Sequence, residues 1–138
     1  MIATSLSITA TADPTYGTIN GFTDAASGSQ AGSVVGARTS DIIQFVNVDP
    51  SPLNHSAVGF PNATSFPSVP YAFQSAAQLP RATAISTSQS RSTGLIPSQG
   101  GSGCYSQQFT VPSIGTYYFG DYSHYNLTNM RDVIVVTP

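Results

Sequence analysis

The chain has 138 residues and a mass of 14.3 kDa, a size typical of one domain that buries its own hydrophobic core, and we expect a single domain over 1–138. Four Arg, six Asp and a net charge of −2 leave no basic stripe, which argues against a nucleic-acid-binding protein. No apolar run is long enough to span a membrane. Such scarce charge favours a periplasmic or extracellular location.

Prolines, glycines and abundant Ser and Thr divide the chain into short segments, and no window repeats apolar residues at helical spacing. The chain is therefore predicted to be all-β, a sandwich or barrel. In chain order, strands are predicted over 4–11, around 16–22, and over 33–37, 41–48, 105–111, 116–121 and 130–136. A long connection over 61–103 precedes the last three strands, and its 71–79 segment is predicted to hold a helical turn that ends at Pro80.

The link Pro112-Ser-Ile-Gly115 predicts that the chain turns back on itself. The strand that begins near Cys104 is then expected to pair with 116–121. Because Cys104 is the single cysteine, an internal disulfide is excluded. It remains a free thiol, a metal ligand or half of an intermolecular bridge.

The end of the strand 116–121 carries groups that bind metals. Side chains alternate along a strand, so Tyr117, Phe119 and Asp121 share one face, and Asp121 is predicted to point inward at the rim. His124 and Met130 follow in a short loop. A carboxylate, an imidazole and a thioether in one loop point to a metal site, and His55, the only other histidine, would complete it.

Over about 42–136 the chain resembles the cupredoxins, the small copper proteins of the blue-copper group. In that family a strand with Phe-x-Asn, then Asn or Asp, leads to a His followed by an apolar pair, as in Phe45-Val-Asn47, Asp49 and Asn54-His55-Ser-Ala-Val58. Their second motif, Gly-x-Tyr-x-Phe-x-Cys-x-x-His followed by Met, is similar to Gly115-Thr-Tyr117-Tyr-Phe119-Gly-Asp121-Tyr-Ser-His124 with Met130. The departure is Asp121, which stands where the family has its copper thiolate.

The resemblance implies a Greek-key β-sandwich that binds one copper ion per chain. Carried over residue by residue, it makes His55 and His124 equatorial ligands, Met130 the axial ligand and Asp121 the occupant of the thiolate position. It also implies one-electron transfer with redox partner proteins, not enzymatic catalysis, with the electron passing through His124 at the rim. We expect a monomer.

Three interpretations of Asp121 stay open. It is an oxygen ligand, either natural or introduced in place of Cys; or Cys104 supplies a thiolate from another strand; or Asp121 is an ordinary loop carboxylate and no metal binds. The corresponding functions are electron transfer, copper binding or storage without a redox role, and a structural β-sandwich domain without a metal.

Overall fold

The computed structural model describes residues 5–12, 20–24, 34–47, 52–98, 104–128 and 130–138. In this part of the chain there are ten strands, a 3-10 turn over Ser75–Gln78 and a one-turn helix α1 over Tyr125–Thr128. The strands are β1 Ser5–Ala12, β2 Asn20–Asp24, β3 Val34–Arg38, β4 Ile42–Asn47, β5 Val58–Gly59, β6 Pro80–Arg81, β7 Ser92–Thr93, β8 Cys104–Thr110, β9 Gly115–Gly120 and β10 Arg131–Thr137.

The strands form two sheets. One sheet has the order β2-β1-β4-β8, and the other has the order β3-β10-β9-β5-β7-β6. The pairs β1–β4 and β3–β10 are parallel, and the other neighbours are antiparallel. Because many neighbours are not consecutive along the chain, the connections cross between sheets, as a Greek-key sandwich requires. The predicted all-β Greek-key sandwich is confirmed.

The hydrophobic core lies between the two sheets and follows from side-chain alternation. Ile43 and Phe45 of β4 are fully buried on one side, and Tyr117 and Phe119 of β9 face them from the other sheet. The Phe45 ring packs 5.4 Å from that of Phe119, centroid to centroid. The alternating aromatic residues of β9 therefore anchor the strand that leads directly to Asp121.

The predicted strands are present in the structure, with small shifts in the residues at which they begin and end. The strand expected around 16–22 is β2, which begins at Asn20, and 16–19 lie outside the described residues. The helical turn predicted within 71–79 is the 3-10 turn, and the long connection also carries β6 and β7. No helix in the described ranges has the length and apolar character needed to cross a membrane.

The predicted pairing of the Cys104 strand with 116–121 is wrong. β8 pairs with β4 in one sheet, whereas β9 pairs with β10 and β5 in the other. Both edges of β9 are therefore occupied. The free edge of β8 is also partly covered, because Thr110 donates its backbone N–H to Thr83 and accepts one from Ile85. The Pro112 link thus carries the chain across the sandwich.

We predict that Gly120→Ala destabilises the metal-free protein by about 1–3 kcal/mol, the usual cost of overpacking a filled core. A Cβ at Gly120 would lie 2.5 Å from Cζ of Phe60 and 2.9 Å from Cδ1 of Tyr125. The matched control is Gly36→Ala in β3, where a Cβ meets no heavy atom within 4 Å. Urea unfolding measures both; equal losses would contradict the close packing at Gly120.

Candidate metal centre

Sheet register brings separate segments together at one end of the sandwich. Gly120 is paired with Val58 of β5 on one side and with Arg131 of β10 on the other. Asp121 is one residue beyond this point, and its backbone N–H donates to the carbonyl of Met130 over 3.1 Å. His55 lies three residues before Val58. The pairing of three strands therefore positions both ends of the site.

The loop that carries His55 is anchored from two directions. The backbones of His55 and Ile96 exchange hydrogen bonds of 3.1 and 2.6 Å. The fully buried Asn47, at the end of β4, donates its side-chain amide to the carbonyls of Leu53 and Ile96, each over 3.0 Å. Buried amide groups need such partners, so Asn47 holds the His55 loop to the opposite sheet.

The turn after β9 is shaped by the Asp121 side chain. Its Oδ1 accepts the backbone N–H groups of Ser123 at 2.8 Å and His124 at 3.0 Å, and its carbonyl accepts that of Tyr125 at 2.9 Å. Asp is favoured at such positions because its short carboxylate reaches the N–H groups two and three residues later. The turn places the His124 ring beside the carboxylate.

The structure brings His55, Asp121 and His124 together, as the sequence predicts. Nδ1 of His55 lies 3.0 Å from Oδ2 of Asp121, and Nδ1 of His124 lies 3.1 Å from Oδ1. One ligand atom from each residue lies within 4.8 Å of the others. His55 and Asp121 are fully buried, whereas the His124 side chain is 12% exposed. The three groups form one buried cluster with a single exposed edge.

Asp121 is ionised at neutral pH. Burial raises the pKa of its carboxyl, but hydrogen bonds from His124 and His55, the charge of His55 and the Ser56 N–H outweigh it and lower the pKa to about 2. An ionised carboxylate accepts hydrogen bonds only. Each imidazole therefore donates its Nδ1–H to a different oxygen of the same carboxylate.

The donor set fits a divalent transition metal. Donor atoms bound at about 2.0–2.2 Å lie about 3 Å apart when they subtend roughly a right angle at the ion. Both His–Asp distances already have this value. Imidazole and carboxylate suit Cu(II) and are also accepted by Zn(II). With a metal in place of the two imidazole protons, the backbone N–H groups of Ser56, Ser123 and His124 would still hold the carboxylate.

The other two candidate ligands have different surroundings. Met130 is fully buried in the hydrophobic core cluster, and its backbone carbonyl accepts the N–H of Asp121. Cys104 is half-buried and pairs with Asn47 between β8 and β4. Among the described residues, the group of converging donors contains the two histidines and Asp121 but not Cys104.

Ser56 is a site residue whose role the sequence does not reveal. Its backbone N–H donates to Oδ2 of Asp121 at 3.0 Å, and its buried hydroxyl accepts the backbone N–H of Tyr122 at 2.8 Å. Ser56 therefore links the two ligand-bearing loops directly. Its position next to His55 is the only signal in the sequence, since its partners lie 65 and 66 residues away.

Comparison with known proteins identifies the fold. No family model and no curated protein matches the sequence. Auracyanin from the photosynthetic bacterium Roseiflexus castenholzii matches over 100% of both chains, with 15% identity and a TM-score of 0.55. Auracyanin B matches over 100% of this chain and 92% of its own, with 18% identity and a TM-score of 0.57.

Rusticyanin from Thiobacillus ferrooxidans matches over 99% of this chain and 79% of its own, with 16% identity and a TM-score of 0.56. These structural neighbours are cupredoxins. The chain therefore has the cupredoxin fold, with the Greek-key β-sandwich of that class.

Acid should lower the free energy of unfolding of the metal-free protein, because Asp121 becomes protonated. Because the pKa of this carboxyl is about 2 in the folded chain and 3.8 ordinarily, its contribution is present above pH 4 and is lost as the pH falls to 2. The loss is about 2 kcal/mol. Urea unfolding with a chelator should show the stability difference between wild type and Asp121→Asn shrinking by that amount from pH 6 to pH 2. A difference independent of pH would contradict the low pKa.

Proposed function

We propose that this protein binds one copper ion through His55, Asp121, His124 and Met130 and transfers single electrons between redox partner proteins. The observation that carries the proposal is the convergence of two imidazole nitrogens on one buried, ionised carboxylate at the loop end of a cupredoxin fold. Rusticyanin, which has the same fold, is a copper protein. Asp121 then stands as a natural or introduced replacement for the thiolate that this class carries.

The protein's own residues supply a rigid, largely dry set of donors. Bound copper would provide a centre that alternates between Cu(II) and Cu(I). His55 and Asp121 are fully buried, so water has little access to that side of the site. The fixed negative charge of Asp121 favours the more highly charged Cu(II) state, as hard oxygen donors do. We therefore expect a pale site whose reduction potential is lower than that of a thiolate site in the same fold.

His124 is the route by which electrons would enter and leave. Its side chain is 12% exposed, whereas that of His55 is fully buried. A redox partner that docks at this end of the sandwich therefore comes closest to the metal over His124. We further propose a monomeric, single-domain periplasmic or extracellular carrier without enzymatic activity.

Copper binding without a redox role is the second candidate. The observation that favours it is the ionised Asp121, because a strong preference for Cu(II) would hold the metal in one oxidation state. Reversible electrochemical cycling of the copper-loaded protein between Cu(II) and Cu(I) supports the electron-transfer function. A centre that releases its metal on reduction supports the storage protein.

We predict one tightly bound Cu(II) per chain, with an EPR signal and only weak visible absorption. His55→Ala, His124→Ala and Asp121→Asn should each weaken binding by at least about tenfold, because each removes or neutralises a donor. Cys104→Ser is the matched control, since this thiol lies outside the donor cluster. Titration with Cu(II) followed by EPR measures all four. A visible band that disappears in Cys104→Ser would instead make Cys104 the ligand.

Asp121→Cys should convert the pale protein into a strongly coloured one. A thiolate placed between the two imidazoles restores the donor set of blue-copper sites and stabilises Cu(I). We expect an intense visible charge-transfer band and a higher reduction potential than in the wild type, measured by absorption spectroscopy and voltammetry. A colourless Cu(II)-loaded variant would show that residue 121 is not a ligand.

A further inference from the structure

We propose that Asn62 is an acceptor for N-linked glycosylation and that its first sugar residue occupies the cavity beside it. The sequence contains three Asn-x-Ser/Thr acceptor motifs, which begin at Asn54, Asn62 and Asn126. All three asparagines are exposed, but the folded structure distinguishes them. The side-chain amides of Asn54 and Asn126 make hydrogen bonds, whereas that of Asn62 makes none among the described residues and Asn62 lines a surface cavity.

Two side chains of the Asn54 motif make hydrogen bonds within the loops of the candidate metal site. The Asn54 side-chain oxygen accepts the backbone N–H of Ser98 at 3.3 Å. The hydroxyl of Ser56, at the third position of the motif, is buried and bonded to the N–H of Tyr122. A glycan here would stand against the loop of His55.

The motif at Asn126 is also engaged. Its side-chain oxygen accepts the backbone N–H of Tyr71 at 2.7 Å, and its side-chain nitrogen donates to the carbonyl of Tyr71 at 2.9 Å. Both polar atoms of the amide thus fasten the Tyr71 segment to α1. A sugar on this nitrogen would stand in the contact between the two segments.

The motif at Asn62 is open. Asn62 and Thr64 are exposed, and within the described residues the Asn62 side-chain amide makes no hydrogen bond. The backbone of Asn62 has a φ of 59°, a left-handed conformation that Asn tolerates better than most residues, and its N–H donates to Thr87. The turn is therefore fixed while its side chain points to solvent.

Asn62 lines an open surface cavity of about 450 Å³. Its lining carries no charged side chain and consists of Asn62, Ala63, Thr64, Thr87, Thr116 and Tyr118. Threonine hydroxyls donate and accept hydrogen bonds, and a tyrosine ring offers an apolar face with a polar edge. That combination suits a neutral sugar, which has hydroxyl groups around an apolar ring face.

The cavity lies away from the metal centre. Tyr118 is on the face of β9 opposite the core residues Tyr117 and Phe119. It precedes Asp121 by three residues, or roughly 10 Å of extended chain. The first sugar on Asn62 would therefore lie against the outer face of β9 and not at the loop that carries His124.

The transfer itself needs a lipid-linked oligosaccharide diphosphate and the oligosaccharyltransferase of a secretory route. The Asn62 amide nitrogen forms a bond to C1 of the first sugar as the bond from C1 to the lipid diphosphate oxygen breaks. The lipid diphosphate leaves, and the displaced amide proton passes to a base of the transferase. No oxidant or reductant is involved.

The acceptor is tested by secreting the full chain from yeast and measuring the occupancy of each motif by glycopeptide mass spectrometry. We expect a glycan on Asn62 in most molecules and on Asn54 and Asn126 in few. Asn62→Gln and Thr64→Ala should remove the mass increment, whereas Thr64→Ser, Asn54→Gln and Asn126→Gln should retain it. Occupancy of Asn54 or Asn126 equal to or above that of Asn62 overturns the assignment, as does an unmodified Asn62.

A second experiment tests whether the first sugar contacts the cavity. Trimming with an endoglycosidase that leaves one N-acetylglucosamine on Asn62 should give a protein with a higher Tm than Asn62→Gln. In a Tyr118→Ala background that gain should disappear. Tyr118→Phe, which loses the hydroxyl bond to the Thr64 carbonyl but keeps the ring, should retain it, and the comparison isolates the sugar–ring contact. An equal gain in the wild-type and Tyr118→Ala backgrounds would show that the sugar does not use the cavity.

Discussion

The burial of the Asp121 carboxylate is the constraint on which the site depends. Removing such a charge from water costs several kcal/mol unless hydrogen-bond donors replace the lost hydration. Five donors do so: the N–H groups of Ser56, Ser123 and His124 and the Nδ1–H groups of both imidazoles. They come from two loops that are distant in sequence. The charge therefore requires both loops to be in place.

A carboxylate does something in this position that a single sulfur atom cannot. Its two oxygens accept hydrogen bonds from different imidazoles, Oδ2 from His55 and Oδ1 from His124. The ring orientations are consequently fixed by hydrogen bonds within the protein. In the proposed copper site the same negative charge would also favour Cu(II) over Cu(I). A single substitution at Asp121 would then change both the stability of the fold and the reduction potential of the bound metal.

The sequence predicts the parts of this structure that depend on local pattern. Alternation in β4 and β9 indicates the core faces of Phe45, Tyr117 and Phe119, and the same alternation places Asp121 inward. The pairing of β8 and the linking role of Ser56 could not be predicted, because they depend on which edges distant strands leave open. Met130 shows the same limit, because its burial and its side-chain contacts depend on how the whole core packs.

Residues that meet in this sandwich, including those of the candidate site, lie far apart in the sequence. His55 and Asp121, which share a hydrogen bond, are 66 positions apart, and β3 meets β10 across about a hundred residues of chain. Contacts of this range form late and make folding slow. No short fragment of the nascent polypeptide carries all three residues of the candidate site, so the chain must close its topology before the proposed site can bind an ion.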